Sequence, residues 1–159
     1  MIHQRPLNAR EISALPAGLV AAMPEGVVLI DAHHPLSKLS LTVRGYAVIL
    51  VRGKRIFWPG LREDLSRDPR DLSLLAHELV HVWQYQTGMT LLSYALRDVI
   101  LRLGTYNYRL KPGKAFTAYG YEQQASMMED WMRLQAGLPL RHGKGAVDSG
   151  ALQAIVPFL

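Results

Sequence analysis

The chain has 159 residues, 49% of them hydrophobic, a formal net charge of +5 and no cysteine. This length corresponds to about one domain with a substantial core, and the lack of cysteine excludes a disulfide framework and a thiolate metal site. The longest apolar runs are too short to span a bilayer, and the N-terminus lacks the charged-then-apolar layout of a secretory signal. Residence in the cytoplasm is therefore the default expectation, although export through a signal-independent secretion machine would leave no trace in such a sequence.

Residues 1–40 predict one short helix followed by an irregular segment. Asn8 is a suitable N-cap for a helix over residues 8–15, and a mixed apolar stretch runs from Leu19 to Ile30. Residues 41–60 predict a β-hairpin, in which a buried strand over residues 46–51 pairs with residues 55–58 across a tight turn.

The strongest helical signal covers residues 68–88. Asp68 is placed as an N-cap, Pro69 at the first helical position, and Gly88 just beyond the end. Apolar residues recur between them at helical spacing, namely Leu72, Leu75, Leu79, Val82 and Trp83. These local signals predict an amphipathic helix of about five turns.

This helix contains the sequence His77-Glu78-Leu79-Val80-His81, which has the H-E-x-x-H pattern of zinc peptidases. Residues i and i+4 lie on one face of a helix, so the two imidazoles can bind one Zn²⁺ ion, which at catalytic sites keeps a fourth position for water. Glu78 reaches past the metal toward that water, where it can accept a proton as general base. The alternative is a helix with two solvated histidines, but here they flank an apolar stripe, where an unliganded charged pair would be costly.

Two histidines hold zinc loosely, so a third donor is expected. The short extension that supplies a third histidine in one peptidase clan is absent after the motif. We therefore expect a carboxylate from a later helix over residues 116–137, and Glu122 is the main candidate because Ala125 is small enough to let two helices approach. Glu129 is the competitor, although a solvated helical residue is the preferred interpretation for it. Glu129 or Asp130 could instead hold a liganding imidazole from behind, since such rings usually donate their other N–H to an oxygen.

The rest of the chain predicts a further helix, an apolar tail and a basic stretch. The helix spans Leu91 to Leu103 and ends at Gly104. Residues 143–159 begin Gly-rich and end apolar, and we expect this tail to pack on the domain because its large apolar residues would otherwise be exposed. The basic stretch is most simply a solvated helix and loop, with nucleic acid or an anionic envelope polymer as the alternative partner. It comprises Arg97, Arg102, Arg109, Lys111 and Lys114.

Two further roles have candidates in the sequence. A Tyr or His often stabilises the oxyanion at such sites, and Tyr119, Tyr121 and His142 are candidates, although tyrosines near a helix start are more often packing residues. A substrate peptide could add to an exposed strand edge, which Phe57 and Trp58 would supply. The alternative, that both are core residues of the hairpin, fits the sequence at least as well.

Three segments of the chain resemble a small bacterial family called "Vgr-related protein", namely residues 77–84, 108–116 and 119–125. The segment over 156–158 fits the ending of that family, and residues 56–60 with the motif helix are similar to metallopeptidase-like domains of contractile injection systems. The resemblance implies a zinc peptidase whose third ligand is a glutamate, and partners in a secretion apparatus or phage-tail-like assembly. One departure is Ser126, because many such enzymes carry Asp four residues after the ligand Glu, where it supports a histidine.

Together these features predict an α+β fold over residues 1–159. The expected architecture is a minimal zincin-like metallopeptidase domain, with a small sheet or hairpin packed beside a helical bundle that carries the motif helix. The expected function is hydrolysis of a peptide or protein substrate, with Zn²⁺ as cofactor and Glu78 as general base.

Two rival functions remain open at this point. The main rival is a zinc-stabilised interaction module of a secretion or phage-tail-like assembly, without turnover. It is distinguished by whether the fourth zinc position is open to solvent or plugged by a side chain. A basic accessory domain that binds nucleic acid is a third and weaker alternative.

Overall fold

The computed structural model describes residues 3–35, 48–100 and 106–159, and these form an α+β arrangement of one small mixed sheet and several helices, as the sequence predicts. The strands are β1 (Gln4–Pro6), β2 (Val28–Ile30), β3 (Leu50–Arg52) and β4 (Arg55–Phe57). The α-helices are α1 (Ala9–Ala14), α2 (Ala17–Ala22), α3 (Pro69–Gln86), α4 (Leu91–Tyr94), α5 (Tyr121–Gln135) and α6 (Ser149–Gln153). Shorter helical turns are 3₁₀ at Leu65–Arg67 and Phe116–Ala118, and π-helical at Ala95–Ile100.

The sheet has the strand order β1-β2-β4-β3, which places β4 in its interior. The hairpin of β3 and β4 is confirmed, with Val51 opposite Ile56, while the predicted hairpin residues 41–47 lie outside the described residues. Strand β2 runs parallel to β4 on its other side, and Trp58 continues this pairing by donating its N–H to Ile30 at 2.8 Å. The prediction that Phe57 and Trp58 supply an exposed edge is therefore wrong, because β2 pairs along the side that the hairpin alone would leave free.

Helix α3 confirms the strongest sequence signal. The side chain of Asp68 accepts the N–H of Arg70, Pro69 is the first helical residue, and Gly88 follows the end of the helix with φ +107°. That positive φ suits Gly because it has no Cβ. The stripe residues Leu75 and Leu79 are completely buried, so the helix packs on the core through the predicted face.

Helix α5 packs along α3 in the most extensive contact between two elements of the described structure, with Ala125 fully buried between them. The helix begins at Tyr121, later than the predicted start at residue 116. The turn at Phe116–Ala118 belongs to a separate 3₁₀ segment, and the extended backbone of Tyr119 and Gly120 separates the two.

The remaining predictions were confirmed in part. Helix α1 is capped by Asn8 as expected, and the apolar tail packs on the core with Leu152, Val156 and Phe158 buried. The helix predicted from Leu91 is α-helical for only four residues before the π-helical turn, and its predicted end falls outside the described residues. None of the helices in the described ranges combines the length and apolar composition that crossing a membrane requires.

Candidate metal centre

The structure brings together the three metal ligands predicted from the sequence. Oε2 of Glu122 lies 3.3 Å from Nε2 of His77 and 3.2 Å from Nε2 of His81, and all three side chains are buried. One donor atom from each residue lies within 4.8 Å of the other two. Donors about 2.0–2.1 Å from a tetrahedral Zn²⁺ stand about 3.3 Å apart, so these spacings fit the ion.

His81 is oriented by a chain of side-chain amides. Its Nδ1 lies 2.8 Å from Oε1 of Gln84, whose NH₂ group donates to the Tyr121 carbonyl at 3.0 Å and to Oε1 of Gln124 at 3.1 Å. These two bonds fix the amide so that its oxygen faces the imidazole, and Nδ1 of His81 is then the donor. Nε2 is left with a lone pair that points toward Glu122, which is the tautomer a metal ligand requires.

His77 is faced by a second carboxylate, that of Glu129. Oε2 of Glu129 lies 3.0 Å from Nδ1 of His77, an ion-pair distance without the alignment of a hydrogen bond. Burial lowers the pKa of His77, but its contacts with Glu122 and Glu129 outweigh burial and raise that pKa to about 10.

Glu129 is only 1% exposed, so the prediction of a solvated residue is wrong. It lies two turns after Glu122 on the face that meets α3, and the loop after α5 covers it. Nη1 of Arg141 donates to its Oε1 at 2.9 Å, and Nε2 of His142 lies 3.1 Å from its Oε2. Burial raises the pKa of Glu129, but its contacts with His142 and His77 dominate and hold that pKa well below its usual range.

Asp130 fixes the loop that covers Glu129. Its carboxylate accepts the backbone N–H groups of Arg141, His142 and Gly143, at 2.6 to 3.3 Å, and the hydroxyl of Tyr108 at 3.0 Å. Of the two residues that the sequence offered as supports for an imidazole, Glu129 contacts His77 and Asp130 holds the loop. Neither arrangement could be assigned from helical spacing, because both depend on a loop that begins after the helix ends.

Sequence reasoning missed two residues that hold Glu122. The hydroxyl of Tyr94 donates to Oε1 of Glu122 at 2.8 Å, and the carboxylate of Asp98 accepts the N–H of Tyr121 at 3.1 Å and that of Glu122 at 3.0 Å. Burial and the negative charge of Glu122 raise the pKa of Tyr94, so its hydroxyl stays a donor. The only signal available in the sequence was the i, i+4 spacing of Tyr94 and Asp98 in a predicted helix.

A cleft of about 570 Å³ runs past the three donors. Glu78 lies in its wall and is 6% exposed; burial, partly offset by the two motif histidines, raises the pKa of its carboxyl. The apolar part of the lining comes from β3 and the residues just before it, from α3, and from the segment that leads into α4. These apolar lining residues are Val48, Ile49, Leu50, Val51, Leu74, Met89 and Leu91.

The three candidate oxyanion stabilisers have different surroundings. His142 lines the cleft, together with three tyrosines that sequence reasoning did not select, Tyr85, Tyr94 and Tyr106. Tyr119 is buried outside the lining, where its hydroxyl accepts the N–H of Lys111 at 2.9 Å. Tyr121 also lies outside the lining. The guanidinium of Arg97 lies over its ring, 4.8 Å from the ring centroid.

The basic stretch is partly engaged within the protein. Arg97 donates to the carbonyls of Thr117 and Tyr119, and the ammonium of Lys114 lies 4.2 Å from the centre of the Tyr119 ring. Arg102 lies outside the described residues.

Comparisons with known proteins connect this chain to one secretion protein. No protein-family model matches the sequence. Over 61 residues, 36% of this chain, it is 39% identical to the type VI secretion system spike protein VgrG2b of Pseudomonas aeruginosa, and the match spans 6% of the length of that protein. The solved effector domain of Pseudomonas aeruginosa VgrG2b superposes with a TM-score of 0.68 and 25% identity, over 94% of this chain and 80% of that domain. This chain is similar to VgrG2b and to its effector domain.

The relation supports the resemblance seen in the sequence at the level of the Vgr-related and secretion-system description. The structural similarity to that effector domain extends over nearly the whole of this chain. VgrG2b is described as a spike protein with an effector domain, and neither description states a reaction.

Proposed function

We propose that this chain is a zinc-dependent peptidase, with His77, His81 and Glu122 as metal ligands and Glu78 as general base. The observation that carries the proposal is that Oε2 of Glu122 stands at a zinc-tetrahedron edge length from both imidazoles, in the wall of a cleft that Glu78 shares. Two imidazoles and one carboxylate are the ligand set of a well-known class of catalytic zinc sites.

The chain's own residues supply binding, orientation and proton transfer. A bound Zn²⁺ would polarise the scissile carbonyl and lower the pKa of its water toward about 7. Glu78 has a raised pKa, so its carboxylate is suited to take a proton from the attacking water and deliver it to the leaving amine. Gln84 and Glu129 hold the two imidazoles in the orientation that this chemistry needs.

The substrate would lie along β3 rather than along β4. Strand β3 is at the end of the sheet order in the described structure, and its residues form part of the cleft wall. An extended peptide can add to such an edge through backbone hydrogen bonds that tolerate many side chains.

The cleft favours hydrolysis over a silent interaction module. A structural zinc site is closed by a fourth protein ligand, whereas a catalytic one keeps a position for water. In the described part of the chain the metal-binding group contains three residues, and all three line the cleft.

A matched pair of glutamate variants tests this function. Glu78→Gln should retain the bound zinc, measured by elemental analysis, and lose peptide cleavage by at least about 100-fold, because the general base is gone. Glu63→Gln changes an exposed glutamate in the same way and should cleave like the wild type. A metal-loaded wild type that cleaves nothing in a diverse peptide library would favour the interaction module, and full activity in Glu78→Gln would remove Glu78 from the mechanism.

We further propose that the domain is exported by a type VI secretion system, as cargo of a spike or in association with one. The support is its relation to VgrG2b and to the effector domain of that protein. In the native bacterium, the chain should reach the culture supernatant in wild-type cells and stay inside cells that lack the contractile sheath. Equal release from both strains would contradict this route.

A further inference from the structure

The segment formed by the end of α4 and the π-helical turn after it is held to the start of α5 by three side chains. Tyr94 donates to Oε1 of Glu122 at 2.8 Å, and Asp98 accepts the N–H groups of Tyr121 and Glu122. Arg97, between them, donates to two backbone carbonyls just ahead of α5. The segment therefore contacts both the side chain and the backbone of Glu122.

We propose that Tyr94 and Asp98 are positioning residues for Glu122, and that Tyr94 restricts this carboxylate to binding a metal through Oε2 alone. The inference rests on the metal centre proposed above and adds a role for a segment outside the motif helix.

The two oxygens of Glu122 have separate partners. Oε2 lies 3.3 Å and 3.2 Å from the two imidazole nitrogens, while Oε1 lies 2.8 Å from the hydroxyl of Tyr94. Without the hydroxyl, the carboxylate can rotate until both oxygens face the ion. A second oxygen ligand would then be a fifth donor beside the water that a catalytic zinc site keeps.

Asp98 acts on the backbone of the same residue. The first N–H groups of a helix have no partner within it, and Gly120 at the N-cap position has no side chain with which to satisfy them. Asp98 accepts two of these N–H groups, and its negative charge also suits the positive end of the helix. Asp98 thereby fixes the start of α5 from outside the helix. The position of Glu122 relative to α3 is fixed with it.

The π-helical turn gives these contacts their geometry. It runs from Ala95 to Ile100 directly after α4, so Tyr94 at the end of α4 and Asp98 within the turn both contact the start of α5. Single π-helical turns are rare and often occur at functional sites.

Metal binding and cobalt spectroscopy on the full chain test the inference without any activity assay. Tyr94→Phe keeps the ring and removes the hydroxyl, and Asp98→Asn removes the charge. Each should weaken zinc binding about tenfold in competition with a chelator, which is the usual scale for residues that orient ligands. In the Co²⁺-loaded protein, Tyr94→Phe should also weaken the visible absorption, because five-coordinate Co²⁺ absorbs less than tetrahedral Co²⁺.

The matched control is Leu96→Ala, which changes a half-exposed residue between the two positions. It should leave zinc affinity and the cobalt spectrum unchanged. Wild-type zinc affinity and an unaltered cobalt spectrum in Tyr94→Phe would overturn the inference while leaving the metal centre in place. Equal losses in Leu96→Ala would also overturn it, since the segment would then act only through folding. A wild type that binds neither ion would contradict the metal centre itself.

Discussion

The two imidazoles of the metal centre are contacted at Nδ1, the nitrogen that does not face Glu122, by groups of different charge. His81 donates to the neutral amide of Gln84, whereas His77 faces the carboxylate of Glu129, which Arg141 also contacts. A carboxylate raises the basicity of a liganding imidazole more than an amide does. His77 is therefore expected to be the stronger donor of the pair, and Glu129 the residue on which metal affinity depends more.

Glu129→Gln is expected to weaken zinc binding about tenfold, because the side chain beside His77 loses the negative charge that strengthens the ligand. The measurement is the zinc dissociation constant from chelator competition. Ser126→Ala is the control, since the buried hydroxyl of Ser126 lies on the same helix and has no hydrogen-bond partner in the described structure. An effect of Ser126→Ala as large as that of Glu129→Gln would contradict the assignment of this role to Glu129.

Helix α1 is tied to the elements around it through one buried carboxylate, that of Glu11. Arg5 donates to it through two nitrogens at 2.8 and 2.7 Å, and the backbone N–H groups of Asn8 and Leu65 donate at 2.9 Å each. Burial raises the pKa of Glu11, but these donors outweigh it and hold that pKa below its usual value. The contact links β1, α1 and the 3₁₀ turn that precedes the motif helix.

Glu11→Gln is expected to lower the free energy of unfolding at pH 7 by about 3 kcal/mol, because it leaves Arg5 without its buried partner. The pKa of Glu11 is lower in the folded protein than in the unfolded one, so its ionised form stabilises the fold above about pH 4.3. That contribution is lost as the pH falls through the folded pKa, so the difference between wild type and variant should shrink from about pH 5 to pH 3.

Urea unfolding at several pH values measures this effect, with Glu63→Gln as the exposed control, expected to stay within about 0.5 kcal/mol of the wild type. A wild-type-to-variant difference that stays constant down to pH 3 would show that the ionised carboxylate is not the stabilising species.

Elements with local signals could be predicted, and contacts made by tertiary packing could not. Helix α3 follows from Asp68, Pro69 and the apolar stripe, which act within the helix itself. Strand β2 is three residues long, and its pairing with β1 and β4 defines it rather than any periodicity. Tyr94 and Asp98 escaped selection because their partner Glu122 lies 28 and 24 residues away in the sequence.

At the scale of the whole molecule, the C-terminal segment joins helices that are distant in sequence. The ring of Phe158 packs edge-on against Trp83 of α3, with ring centroids 5.1 Å apart, and lies 6.0 Å from the ring of Phe116. Its backbone also crosses α2 so closely that a Cβ at Gly18 would stand 2.3 Å from the Phe158 carbonyl oxygen. The absence of a side chain at Gly18 therefore allows the two backbones to lie this close together.

Gly18→Ala should destabilise the fold by about 1–3 kcal/mol, the usual cost of overpacking, because the backbone of Phe158 must move away from α2. This cost should exceed the gain from the higher helix propensity of Ala. The shift of the urea unfolding midpoint measures this cost. Gly150→Ala is the matched control within α6, where a Cβ would meet only an ordinary contact at 3.5 Å, and it should be neutral or stabilising by up to about 1 kcal/mol. If both variants changed stability alike, helix propensity would explain the result, and the C-terminal segment would not be held against α2 as the structure has it.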